Sequence, residues 1–70
     1  MNVIGELNIF LDRAEKVKDD DERIVAVLAD LKNKYEIPDS LAELEDWREK
    51  TPEAERIIRT YRFILSLRSV

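Results

Sequence analysis

The sequence predicts an all-α protein, a small irregular four-helix bundle with three main helices and one short helix. Apolar residues recur at three- and four-residue spacing along most of the chain, which is typical of helices with one buried face. The composition, 44% hydrophobic with one Gly and two Pro, is too apolar for disorder and too poor in turn residues for an all-β fold. Short connections imply neighbouring helices, so residues 1–70 are expected to form a single helical domain.

The first helix is predicted from Asn2, a suitable N-cap, to Lys18. Six apolar residues share one side of it and are expected to face the core: Val3, Ile4, Leu7, Phe10, Leu11 and Ala14. Ile9 points away from this side, so it is predicted to be an exposed apolar residue.

The second helix is predicted from Asp21 to Tyr35, after the acidic run KDDDE of residues 18–22. A calcium loop needs oxygen ligands at alternating positions and a Gly at its sharp turn, and this run has neither. We therefore interpret the run as a helix N-terminus, where Asp is a favoured cap. The buried side of this helix is predicted to carry Ile24, Val27, Leu28, Leu31 and Tyr35.

The third helix is short, covers residues 40–50 and begins with an S-x-x-E capping box. Leu41 and Leu44 are expected in the core. Trp47 lies to one side of them. It has two interpretations, a lid over the core or an anchor for a partner, since Trp is enriched at interface hot spots.

The fourth helix is predicted within residues 51–70, with Thr51 as its cap and Pro52 at its first position. One apolar stripe along it consists of Ala54, Ile57, Ile58, Tyr61, Ile64 and Leu65. A second apolar ridge falls outside this stripe. Because a helix of a small bundle needs only one buried face, the second ridge is predicted to contact a partner. The candidate partner-binding residues are Phe63, Leu67, Val70, Arg56 and Arg59, together with Trp47 as the possible anchor.

The usual residues of catalysis are missing. The chain has no Cys and no His, which excludes a thiol nucleophile, an imidazole base, disulfides and the commonest zinc ligands. The single Gly leaves no glycine-rich loop for a phosphate group. We therefore expect no catalytic residue, no cofactor, no metal ion and no small-molecule substrate, and we predict that the protein is not an enzyme.

The net charge of −4 is unevenly distributed along the chain. Residues 36–55 contain eight acids and two bases, whereas residues 56–70 contain four Arg and no acid. One interpretation is that the basic end lies against the acidic middle. Another is a helix-turn-helix-like regulator that binds nucleic acid through these Arg residues. A third is an acidic mimic of nucleic acid that inhibits a basic protein.

The leading hypothesis is a non-enzymatic protein–protein interaction module. It would act as a regulator or inhibitor through the apolar and Arg ridge of its last helix, on a protein partner or as a homodimer. No apolar run approaches the ~20 residues that cross a bilayer, and the N-terminus lacks the pattern of a signal peptide. We therefore expect a soluble cytoplasmic protein without membrane contact, for which nucleic acid is a less favoured partner.

Overall fold

A computed structural model describes residues 2–68, which form four α-helices and no strand. Helix α1 covers Val3–Lys16, α2 covers Asp21–Tyr35, α3 covers Leu41–Lys50 and α4 covers Ala54–Ser66. The predicted all-α fold class with four helices is therefore confirmed. Within these residues, no helix combines the length and the apolarity that a membrane span requires.

Helices α1, α2 and α4 pack against one another, and α3 packs against α4. Helices α1 and α2 are antiparallel, because Tyr35 donates a hydrogen bond to Glu6 (2.8 Å) and Arg13 pairs with Asp30 (2.8 Å). The core at the centre of the three main helices contains Leu7, Phe10, Ala14, Ile24, Val27, Leu28, Leu31, Ile57 and Ile64. No residue of α3 is fully buried, so α3 is an outer layer on a three-helix core.

Three helices begin with a side-chain cap. Asn2 and Ser40 each accept one backbone N–H bond, from Ile4 and Glu43. Asp20 Oδ1 accepts from the N–H groups of the second and third residues that follow it. The acidic run is therefore a helix N-terminus as predicted, and the described part of the chain contains no cluster of side chains that could hold a metal ion.

The predicted start of α4 was wrong. Thr51 ends α3, with its N–H bonded to the carbonyl of Trp47 at 2.9 Å. It has an extended backbone, as expected for the residue before a proline. Helix α4 begins only at Ala54, after Glu53, which has a left-handed backbone (φ 60°) and makes no side-chain cap bond. The pair Thr51-Pro52 therefore makes a turn and does not begin the fourth helix.

The buried face of α4 is rotated relative to the predicted stripe. Thr60, which was not predicted, is buried, and its hydroxyl donates a 2.8 Å bond to the Arg56 carbonyl. Leu65, on the opposite side of the stripe, is exposed. This rotation follows from the packing of the helices. Because both α1 and α2 pack against α4, the buried side of α4 is the side that points between α1 and α2.

Leu41 was predicted in the core, but it is 82% exposed. Helix α3 contacts α4 through the side that carries Leu44 and Trp47. Leu41 lies about a quarter turn away from that side, at the first position of the helix. A short helix that packs mainly against one neighbour, α4, covers only a narrow strip of its own surface, so this apolar residue stays in solvent.

A polar contact between α1 and α2 shifts two pKa values. The Tyr35 hydroxyl donates a 2.8 Å hydrogen bond to Glu6 Oε1, and Lys34 Nζ lies 3.5 Å from Glu6 Oε2. Burial, with this hydrogen bond as the second cause, raises the pKa of Tyr35 to about 12. The hydrogen bond from Tyr35 is the main cause that lowers the pKa of Glu6.

We expect the stability of the domain to fall at alkaline pH because of Tyr35. Its folded-state pKa lies above the unfolded value of about 10, so its stabilising contribution is complete below pH ~10 and is lost as the pH rises towards 12. Urea unfolding at increasing pH measures this loss. Tyr35→Phe should weaken the pH dependence in that range, and equal pH slopes in the two proteins would contradict the assignment.

Candidate protein-binding face

Two shallow grooves follow one another along the seam between α1 and α4. The first, of about 150 Å³, lies between Ile4, Asn8 and Leu11 of α1 and Arg56 and Arg59 of α4. The second, of about 280 Å³, is lined by Leu11, Arg59, Thr60 and Phe63. Earlier residues of both helices line the first groove and later residues the second, so α1 and α4 run in the same direction. We call Ile4, Leu11, Arg56, Arg59 and Phe63 the α1–α4 face.

The α1–α4 face combines exposed apolar side chains from two helices. Phe63 is 52% exposed and Ile4 is 38% exposed. Leu11 is half-buried between them, and it lines both grooves. A contiguous apolar patch is the feature that distinguishes a binding surface from the scattered apolar residues found on any protein. The predicted exposure of Phe63 is confirmed.

The two cations of the face differ in their contacts. Arg56 Nε lies 3.1 Å from Glu53 Oε2 in an exposed ion pair. Within residues 2–68, Arg59 forms no ion pair. Within residues 2–68, Arg56 is the only Arg after position 55 that forms an ion pair with an acid of residues 36–55. The predicted charge contact between the basic and the acidic segment is therefore limited to Arg56 and Glu53.

The remaining predicted site residues lie elsewhere. Leu67 is partly buried and packs against the core, so it does not form an exposed ridge with Phe63 as expected. Trp47 also packs against the core, and its indole Nε1 donates a 2.8 Å hydrogen bond to the Tyr35 carbonyl. These contacts agree with the lid interpretation of Trp47, and the anchor interpretation stays a prediction. Val70 lies outside the described residues.

Ile4 and Leu11 were not predicted as site residues. Their helical spacing places them at the edge of the apolar stripe of α1, which predicted that both residues would face the core. The periodicity of one helix does not show which other helix packs beside its apolar stripe. The parallel packing of α1 against α4 leaves this edge uncovered and places it beside Phe63.

The other side of α4 already has a neighbour. A groove of about 300 Å³ between α3 and α4 has Leu44, Ile58, Tyr61 and Leu65 among its lining residues. Lys32 and Asp39, also lining residues, form an ion pair, and their hydrogen bond is the main cause that raises the pKa of Lys32. This side therefore belongs to the packing of α3, whereas the α1–α4 face has no covering helix among the described residues.

Comparison with known proteins gives no relative from which a function could be transferred. No protein-family model, no curated protein and no solved structure is significantly similar to this chain. We therefore infer a function from the α1–α4 face itself.

Proposed function

We propose that the protein is a non-enzymatic interaction module, a regulator or inhibitor that acts by binding a protein chain through the α1–α4 face. The observation that carries this proposal is the position of Phe63. Its ring is half exposed above a groove shared with Leu11 and Arg59, on a helix whose other sides pack against α2 and α3.

The residue types of the face suit protein binding. Aromatic residues and Arg dominate the binding energy of protein interfaces. Burying a side chain such as Phe63 or Ile4 contributes roughly 1.5–3 kcal/mol. Both residues lie on helices that are held by the core, so little further ordering of the backbone is required on binding.

Specific observations bear on the two alternative functions. Arg59, Arg62 and Arg68 have no ion pair within residues 2–68, which favours a nucleic-acid contact. However, a recognition helix reads bases near its N-terminus, where α4 has Glu53 and Glu55. In favour of an acidic mimic, all eight acids of residues 36–55 are exposed. That surface also carries Leu41, an apolar residue that is 82% exposed and that a mimic of nucleic acid does not require.

Site-specific photo-crosslinking tests the proposal. Benzoylphenylalanine is placed at position 63, or at position 9 or 25, in cells that naturally make the protein. Ile9 and Val25 are matched controls because they are 62% and 44% exposed but do not line the α1–α4 grooves. We expect a discrete adduct from position 63, to the protein itself or to another chain, which weakens when Arg59→Glu is also introduced. Equal adducts from all three positions, or none from position 63, would overturn the proposal.

A further inference from the structure

We infer that α3 is a hinged lid on α4, which opens as a unit while the other three helices stay folded. The lid covers a different side of α4 from the α1–α4 face, so the inference does not depend on the proposed function. Beneath α3 lies a strip of α4 with Ile58, Tyr61 and Leu65, which line the groove between the two helices. Opening of α3 therefore controls how much of this apolar strip is exposed to solvent.

The hydrophobic core of the protein does not include α3. The residues of the buried cluster belong to α1, α2 and α4, and no residue of α3 is fully buried. Among the helices, α3 packs mainly against α4. A region with few buried apolar contacts opens at a low free energy, whereas core helices open only when the whole domain unfolds. The three-helix core can therefore stay folded when α3 opens.

Few contacts hold α3 in its closed position. Leu44 and Trp47 are partly buried, and the Trp47 indole donates a 2.8 Å hydrogen bond to the Tyr35 carbonyl. Arg48 pairs with Glu55 at the surface, where an ion pair contributes little. A helix of ten residues is marginal by itself. The closed position of α3 therefore depends mainly on the side chains of Leu44 and Trp47.

The connections on both sides of α3 contain backbone strain. Among residues 2–68, the non-glycine residues with a left-handed backbone are Glu36 (φ 53°) and Glu53 (φ 60°). One lies in the connection before α3 and the other in the connection after it. This backbone conformation is unfavourable for a residue with a Cβ atom, and opening of α3 relieves it. Because hinges are residues that absorb large changes of φ and ψ, we place one hinge at each of these residues.

Native-state hydrogen exchange, measured by NMR on the full chain, tests the inference. The amide of Trp47, in the middle of α3, reports the lid, and the amide of Leu28 reports the core. We expect the opening constant of Trp47 to be at least about 30-fold larger than that of Leu28. Ile24→Val, which shortens a core side chain, should raise the Leu28 constant about 5-fold. It should leave the Trp47 constant unchanged, because the core stays folded when α3 opens.

A pair of Glu→Gly variants tests the hinge. Glu53→Gly removes the strain of the closed form, so it should lower the opening constant of Trp47 about 3-fold. Glu49→Gly is the matched control, because Glu49 is an exposed residue inside α3. Gly at that position weakens the helix and should raise the same constant about 3-fold.

Three results would overturn the inference. Equal opening constants for Trp47 and Leu28 in the wild type would show that α3 opens only together with the core. An equal rise of both constants in Ile24→Val would show the same cooperativity. A rise of the Trp47 constant in Glu53→Gly, as in Glu49→Gly, would show that Glu53 is not a strained hinge.

Discussion

Replacing Ile57 with Asp should unfold the domain. Ile57 is completely buried in the core on α4. Truncating a buried Ile costs about 2–5 kcal/mol, and an unpaired buried carboxylate adds several more. A domain of this length has a total stability of about 4–10 kcal/mol. The expected loss therefore equals or exceeds the whole stability of the protein.

Urea unfolding followed by circular dichroism measures this effect. Ile9→Asp provides the control, because Ile9 is exposed on α1 and the same substitution there should change the free energy of unfolding by only about 0.5 kcal/mol. If the Ile57→Asp protein stays helical and unfolds cooperatively, the core assigned here is wrong.

Replacing Phe63 with Asp should abolish self-association and leave the fold intact. The ring is half exposed, so its removal costs the monomer little packing. At the interface, each Asp carboxylate would lose its hydration beside apolar side chains. We expect at least a 100-fold weaker dimer, which corresponds to about 2.7 kcal/mol.

Sedimentation equilibrium of Phe63→Asp beside Val25→Asp checks this prediction. Val25 is similarly exposed on α2, and its substitution should leave the dimer unchanged. Loss of helicity in Phe63→Asp would show that Phe63 belongs to the core. The corresponding Leu67→Asp variant is expected to destabilise the monomer, since Leu67 packs against the core.

Salt separates the interaction module from the alternative functions. A dimer held by apolar contacts should weaken only a few-fold between about 50 mM and about 200 mM salt, whereas binding that depends on several phosphate contacts falls by orders of magnitude. An acidic mimic should bind a basic protein in a salt-sensitive way and should not bind free DNA.

The sequence was sufficient for the number of helices, for the bounds of α2 and for most of the core. Helix α2 begins and ends at the predicted residues, Asp21 and Tyr35, because its cap and its apolar stripe agree. The core residues of α1 and α2 were predicted for the same reason. Periodicity reports the buried side of a helix well when that helix packs against two neighbours.

The errors arose where tertiary packing decides the outcome. Leu41 fits a helical core pattern, but the narrow contact of α3 leaves it in solvent. The rotation of α4 buries Thr60, whose hydroxyl bonds to a backbone carbonyl of its own helix, so a polar residue fits where an apolar one was expected. The contribution of Ile4 and Leu11 to the face depends on which helices are neighbours, which periodicity does not encode.

Amide NMR spectra at increasing protein concentration test whether the α1–α4 face joins two copies of the protein. We expect the amide signals of Ile4, Leu11, Arg59 and Phe63 to shift with concentration, while those of α3, such as Glu45, stay constant. Phe63→Asp should remove these shifts. Concentration-dependent shifts on α3, or none up to about 1 mM, would contradict the claim.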